Sequence, residues 1–243
     1  MLSLYVTPCN LSRYFFYVIM YLRRNVGVIM DFERARTKEQ KNVRVAEIVE
    51  AAMKQYHEMP YEKITLASIS KELSFTRVNL YKYFKTKEEI FLKIVELDLF
   101  KWVDKLKLIF LGQPSKDLET FAHKWSAVLY NQKRMIELMS KLFSELEKNS
   151  SIEKLAEFKI KYLSLYEDFH NILSEQLPML DSALIDELLM VQNIFAIGLY
   201  PSSKLSENQK KAIELAGMEY TPPDFVNTLT KFIVTYIEGL KIK

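Results

Sequence analysis

The feature that most constrains the fold is a series of helix-start signals, each followed by apolar residues at helical spacing. Thr37 and Gln40 have the spacing of a capping box, and Val45, Ile48 and Ala52 then recur three to four residues apart. Comparable patterns continue through nearly all of the chain beyond Thr37. The sequence therefore predicts an all-α fold.

Two short helices are predicted between the first helix and a long one. Pro60 closes the first helix, Thr65 caps a second that ends near Ser74, and Thr76 caps a third. Another capping box at Thr86 starts a long helix that ends at about residue 111. Two short helices joined by a tight turn, with a helix on either side, form the layout of a helix-turn-helix.

Residues 1–29 differ from the rest of the chain. Their apolar run, 14–22, is nine residues long, whereas a membrane-spanning helix needs about 20. Arg23 and Arg24 follow that run, where a secretory signal places small residues for cleavage. We predict an upstream leader, with an extra helix packed on the body or a membrane-surface segment as alternatives.

Catalytic and metal-binding motifs are missing from the sequence. The five glycines are too widely spaced for a nucleotide-binding loop or a nucleophile elbow. His57, His123 and His170 lie far apart in the sequence, and the single cysteine, Cys9, cannot form an internal disulfide. The sequence predicts no enzyme, cofactor or metal, and one cysteine fits a reducing cytosol.

The third predicted helix carries residues suited to reading DNA. Leu80 and Phe84 lie four residues apart and face the core. Of the outward residues, arginine pairs with guanine, asparagine with adenine, and a valine methyl packs on the thymine methyl. The predicted base-reading residues are Arg77, Val78, Asn79, Tyr81 and Lys82. Phosphate contacts are predicted for Thr65, Thr76, Tyr83, Lys85 and Lys87.

The charge of this segment agrees with a nucleic-acid partner. From Thr76 to Lys87 there are four basic residues and no acid, a local charge of +4. Charge alone favours a solvated basic face on an ordinary bundle helix, so the DNA-binding interpretation depends on the helix-turn-helix layout.

Residues 48–91, IVEAAMKQYHEMPYEKITLASISKELSFTRVNLYKYFKTKEEIF, closely resemble the DNA-binding domain of the TetR family of transcriptional regulators. The resemblance is carried by Ile48, Ala51, Ala52, Tyr56, Tyr61, Thr65, Ile69, Thr76, Leu80, Tyr81, Tyr83, Phe84, Lys87 and Glu88. Pro60 and Ser74 stand where the family usually has glycine, Ser70 where it has alanine, and Val78 where many members have glycine or proline. Ser74 implies either a left-handed non-glycine residue or a different turn.

The resemblance implies a DNA-binding domain at 30–90, with its motif at about 65–84, and a helical domain at 91–243 that binds an effector and dimerises. Helices of this second domain are predicted at 116–130, 132–148, 151–175, 181–200, 206–216 and 223–240. The expected protein is a cytoplasmic, nucleoid-associated homodimer, a repressor that a small molecule releases from a palindromic operator. A DNA-anchored adaptor with a protein partner is the alternative, and an enzyme using His123 and His170 is another.

Two apolar stripes in the second domain are predicted to form the dimer interface, with the protomer core as the alternative. They comprise Leu184, Leu188, Val191, Phe225, Leu229, Phe232, Ile233 and Tyr236. The predicted effector pocket comprises His123, Trp125, Tyr130, Tyr162, Tyr166, Phe169, His170 and Phe195, and it suits an apolar or aromatic molecule. Any one of these aromatic residues is alternatively part of the core.

Overall fold

The computed structural model describes residues 35–240, and within that range it is helical with no strand, which confirms the all-α prediction. The predicted leader at 1–29 lies outside the described residues. The helices are α1 (Ala35–Glu58), α2 (Leu66–Ser70), α3 (Arg77–Leu80), α4 (Lys87–Phe110), α5 (Leu118–Tyr130), α6 (Lys133–Ser140), α7 (Ile152–Gln176), α8 (Ser182–Ser202), α9 (Glu207–Leu215) and α10 (Phe225–Leu240).

The N-terminal domain packs α2 and α3 against α1 and the start of α4. Its core includes Ile48, Ile64, Ile69 and Leu80, each with no exposed surface, together with Phe84. A four-residue helix such as α3 cannot be stable alone. Burial of Leu80 and Phe84 therefore holds it in place.

The C-terminal domain is built around a cluster of aromatic rings. Trp102 on α4 packs against Trp125 on α5 and Phe169 on α7, with ring centroids 5.7 and 4.9 Å apart. Phe110 and Phe121 extend the cluster and are also buried. Helix α10 packs on α5 and α8, and α4 packs on α7, so these elements enclose the core.

Helix α4 continues across the predicted domain boundary at residue 90. Along its length it packs on α1 of the N-terminal domain and on α5, α6 and α7 of the C-terminal domain. Helix α4 is therefore the element that the two domains share.

The structure differs from the predicted helices in three main respects. The backbone is already helical at Ala35, so the predicted capping box at Thr37 is wrong. The helix predicted at 132–148 is divided into α6 and a π-helical turn, Leu142–Leu146. Helix α10 begins at Phe225, because Asp224 accepts a hydrogen bond of 2.7 Å from the amide of Asn227.

Candidate nucleic-acid interface

The helix-turn-helix begins with a capping box at Thr65. The Thr65 hydroxyl accepts a hydrogen bond from the Ser68 amide, and the Ser68 hydroxyl accepts one from the Thr65 amide, both at 3.0 Å. Ser68 takes the position usually filled by Glu or Gln. The structure thus confirms the predicted start of α2.

The turn between α2 and α3 is held by side chains of α1. The Ser74 amide donates to Glu47 at 2.7 Å, and Arg44 donates to the Ser74 hydroxyl at 2.7 Å. No non-glycine residue in the range 35–240 has a positive φ. Ser74 therefore forms a different turn rather than taking the left-handed conformation. The guanidinium of Arg44 also lies 4.7 Å from the centroid of the Phe75 ring.

Helix α3 and the turn that follows it present most of the predicted base-reading residues to solvent. Arg77, Val78, Tyr81 and Lys82 are exposed, and Asn79 is half-buried. Val78 retains 73% of its surface, although it is apolar. An exposed valine between polar residues is available to contact a thymine methyl.

Arg77 and Tyr81 form one unit on this face. A guanidinium nitrogen of Arg77 donates to the Tyr81 hydroxyl at 2.9 Å, and the guanidinium carbon lies 5.5 Å from the centroid of the Tyr81 ring. Tyr81 thus orients the arginine one turn away. The spacing of these residues is visible in the sequence, but their contact is not.

The predicted phosphate contacts divide into exposed and internally bonded residues. Thr65, Thr76 and Lys85 are exposed, and Thr76, which lies at the N-cap of α3, makes no side-chain capping bond. Tyr83 is half-buried against Phe75. Thr65, Thr76 and Lys85 are therefore the most accessible members of the predicted set.

Lys87 differs from the other members of that set. Its ammonium donates to the Tyr61 carbonyl at 2.9 Å and lies 4.1 Å from the centroid of the Tyr61 ring. The structure gives Lys87 a packing role inside the domain, and its contact with a phosphate stays a prediction.

Glu89 lies beneath the loop that follows α3. Its carboxylate is almost fully buried and accepts hydrogen bonds from the amides of Lys85, at 2.6 Å, and Ser151, at 3.1 Å. Burial acts to raise the pKa of the Glu89 carboxyl, but these bonds outweigh it and lower the pKa. One carboxylate thus joins the N-terminal domain to the start of α7.

The predicted effector residues do not share one cavity. Tyr162 and Phe169 line a space of about 20 Å³, and Trp125 lines another of about 10 Å³. Tyr130 packs against Phe225, Phe195 stacks on Phe232 at 4.0 Å, and Tyr166 packs on His170, which is paired with Asp186. The predicted pocket is therefore divided between packed core, helix surface and two small spaces.

His123 is the clearest correction to that pocket. It is exposed on α5, because the helical period places it away from the buried face of Ala122 and Trp125. It cannot form a wall of an enclosed site.

The predicted dimer stripes combine two different faces. Leu188, Phe225, Leu229 and Ile233 are at most 2% exposed, since the protomer's own helices cover them. Their assignment to the interface is wrong. Leu184, Val191, Phe232 and Tyr236 are half-buried, so they remain accessible to a partner.

The sequence did not predict two larger clefts, which lie at the domain boundary. One, of about 540 Å³, lies between the end of α1, α6 and α8 and includes Tyr56 and Glu137, whose side chains are hydrogen-bonded at 3.0 Å. The other, of about 270 Å³, lies between α1, α4 and α7. Residues from both domains line each cleft, and no local motif signals such a combination.

Comparisons with known proteins agree with this architecture. The family profile described as "Bacterial regulatory proteins, tetR family" matches residues 48–94, and the profile "Tetracyclin repressor-like, C-terminal domain" matches residues 96–243. The "Uncharacterized HTH-type transcriptional regulator YfiR" of Bacillus subtilis (strain 168) is 39% identical over 70 residues, which are 29% of this chain and 34% of that protein. The match thus spans about a third of that relative.

A solved structure shows the same fold. It is a transcriptional regulator of the TetR/AcrR family from Thermobifida fusca YX-ER1, with a TM-score of 0.51 and 19% sequence identity. The similarity covers 78% of this chain and 96% of that chain.

Proposed function

Because the chain belongs to the TetR family and is a DNA-binding transcriptional regulator, we propose that α3 reads the base edges of a palindromic operator and that the protein acts as a repressor. The observation that carries this proposal is the exposed face of α3, which has basic and amide side chains and no acid. Buried Leu80 and Phe84 hold this face in place. A dimer with twofold symmetry would place its two copies of α3 in major grooves about 34 to 36 Å apart. We assign the protein no catalytic activity, and we place it in the cytoplasm on the nucleoid.

The local charge of α3 favours DNA over other partners. Three acids of this domain are otherwise engaged: Glu47 binds the turn, Glu72 accepts bonds from Lys54 and Gln55, and Glu89 is buried. Arg77, Lys82 and Lys85 are therefore not neutralised by these carboxylates. The face attracts phosphates, and bound counterions are released on binding.

The experiment that tests this proposal is a titration of the full chain with a duplex from its own upstream DNA, over a range of salt concentrations. Tight binding of one dimer per site, with a steep dependence on salt, is expected. An unrelated duplex of equal length is the control. Equal, weak binding to both duplexes would contradict sequence-specific recognition.

We propose that the dimer forms through the outer face of α8 and α10. This face carries half-buried Phe195, stacked on Phe232 with an angle of 5° between the rings, and Ile194, which is 63% exposed. Among the described helices, α8 alone is long and apolar enough to cross a membrane, but only a third of its most apolar stretch is buried within the protomer. A partner helix would cover the remainder.

Phe232→Asp tests this interface. A charge at the centre of an apolar contact should convert the dimer to monomer at micromolar concentration, as measured by analytical ultracentrifugation. Leu215→Asp on α9 is the matched control, since Leu215 is 89% exposed and lies on a different helix. A dimer that persists in Phe232→Asp would place the interface elsewhere.

We further propose that a small-molecule effector releases the operator through α4. The proposed connection runs from α7 to the segment after α3 through Glu89. Its carboxylate accepts hydrogen bonds from the Ser151 amide at the start of α7 and from the Lys85 amide, which follows α3. A second link joins the Thr86 hydroxyl to the Asn149 carbonyl at 3.1 Å. A ligand that shifts α4 or α7 binds the DNA-bound and released states of the protein with different affinities. The resulting change in DNA affinity equals the ratio of those two ligand affinities.

A panel of small molecules separates this mode from the adaptor alternative. An effector should raise the melting temperature of the protein and weaken operator binding at the same concentration. Operator binding that no small molecule changes, together with capture of a specific protein, would favour the DNA-anchored adaptor.

A further inference from the structure

The cleft between α1, α4 and α7 reaches Phe84, which follows α3 in the chain. Its apolar floor includes Val45, Leu92 and Phe158, and also Phe84, the residue that anchors the segment after α3. Its volume of about 270 Å³ is slightly below the range of about 300 to 1,000 Å³ typical of drug-sized ligands. A small molecule in this cleft would touch both domains and the anchor of α3.

An excess of positive charge borders that floor. Lys93 donates to Oε1 of Glu96 at 2.5 Å, and Lys161 donates to the same oxygen at 2.7 Å. Glu96 is only 6% exposed. Because one carboxylate neutralises one ammonium, the second lysine is left with a charge that a ligand can satisfy.

The other charged groups of the cleft do not remove this excess. Lys154 is paired with Glu157 at 2.8 Å, and the Glu89 carboxylate is occupied by backbone amides. The lining as a whole contains four lysines and three glutamates, a net charge of +1. An anion is therefore favoured over a cation.

We propose that this cleft binds a small organic anion, a carboxylate with an apolar chain, whose carboxylate lies between Lys93 and Lys161 and whose chain covers Phe84 and Phe158. The inference rests on the proposed release by an effector and deepens it by naming the site and the ligand class. Contact with Phe84 changes the position of α3 relative to α4. Anion binding and operator binding are therefore coupled.

Octanoate is the probe, and calorimetric titration of the full chain measures its Kd. Octanoate should bind, whereas acetate, which lacks the chain, and octyltrimethylammonium, which has the opposite charge, should not. Lys93→Gln should weaken octanoate binding by about tenfold or more, because it removes a charge-assisted hydrogen bond. Lys105→Gln, at an exposed position of α4, is the matched control and should change the Kd by less than about twofold.

The structure predicts that the test variants fold. Lys93→Gln leaves Glu96 paired with Lys161, and Lys161→Gln leaves it paired with Lys93. The buried Glu96 carboxylate therefore keeps one ammonium partner in each variant. Both variants should weaken octanoate binding. If Lys93→Gln is unstable, the Kd of Lys161→Gln alone tests the proposal. Two results would overturn the assignment. One is an octanoate Kd that is the same in wild type and both variants, and the other is wild type that does not bind octanoate at millimolar concentration.

Operator binding on the same preparations separates the two proposals. Wild type, Lys93→Gln and Lys161→Gln should all bind the operator without octanoate, and octanoate should weaken only the wild-type complex strongly. If wild type binds the operator but not octanoate, the anion site is wrong while the regulator stands. If wild type binds no operator even without octanoate, the proposed function itself fails.

Discussion

Replacement of Glu89 should show how strongly one buried carboxylate stabilises the junction between the two domains. Glu89→Ala removes the acceptor of two backbone amides, those of Lys85 and Ser151. Each hydrogen bond to a charged group contributes about 1.5 to 3 kcal/mol, but burial of the carboxylate offsets part of this gain. We expect the free energy of unfolding to fall by about 2 to 4 kcal/mol at pH 7.

The same carboxylate makes stability depend on pH in a defined direction. The pKa of Glu89 in the folded protein is below its ordinary value of 4.5. A lowered folded-state pKa contributes stability that is present above the unfolded pKa and is lost as the pH falls through the folded pKa. The difference in unfolding free energy between wild type and Glu89→Gln should therefore be largest at neutral pH and shrink below about pH 4.5.

Urea unfolding at a fixed protein concentration, followed by the fluorescence of the buried Trp102 and Trp125, measures both effects. Glu119→Ala is the matched control, since Glu119 also lies in the first turn of a helix but is exposed. That control should change stability by less than about 1 kcal/mol. A Glu89→Ala protein as stable as the control, or a gap that widens in acid, would refute the reasoning.

Three further changes test other contacts by the same unfolding assay. Ser74→Gly should destabilise by about 1 kcal/mol, because the turn does not need a positive φ and the Arg44 bond is lost; a gain in stability would mean a left-handed turn. Leu80→Ala should cost about 2 to 5 kcal/mol, because Leu80 is fully buried beneath α3; a loss below about 1 kcal/mol would show that α3 is held otherwise. Arg134→Ala should cost about 3 to 5 kcal/mol, because it leaves the buried Asp98 without the two bonds, of 2.6 and 2.8 Å, that it now accepts; an unchanged midpoint would indicate that water replaces the arginine.

The helices and the recognition face were predictable because local chemistry determines them. Thr65 and Thr86 cap helices through their own side chains, and a period of 3.6 residues assigns Leu80 and Phe84 to the core. These features depend on residues close together in the sequence. The break after α6 and the start of α10 depend on local geometry that periodicity does not reveal.

The dimer stripe and the effector pocket were less predictable because they depend on which neighbours cover a residue. Ile233 and Phe232 are adjacent on α10, yet the first is buried by its own chain and the second is half-buried at the surface. Likewise, Lys93 and Lys161 lie 68 positions apart and meet only because both bind Glu96. A single sequence shows which side chains are apolar or charged, but tertiary packing decides which of them share a site.

The measurement that tests the central claim most directly is the Kd of wild type and Arg77→Ala for the operator and for each single-base variant of one half-site. Arg77→Ala should lose about 1 to 3 kcal/mol on the operator and become indifferent to the base at one position. An Arg77→Ala protein with the wild-type Kd and the wild-type preference at every position would contradict the assignment of α3 as the helix that reads DNA.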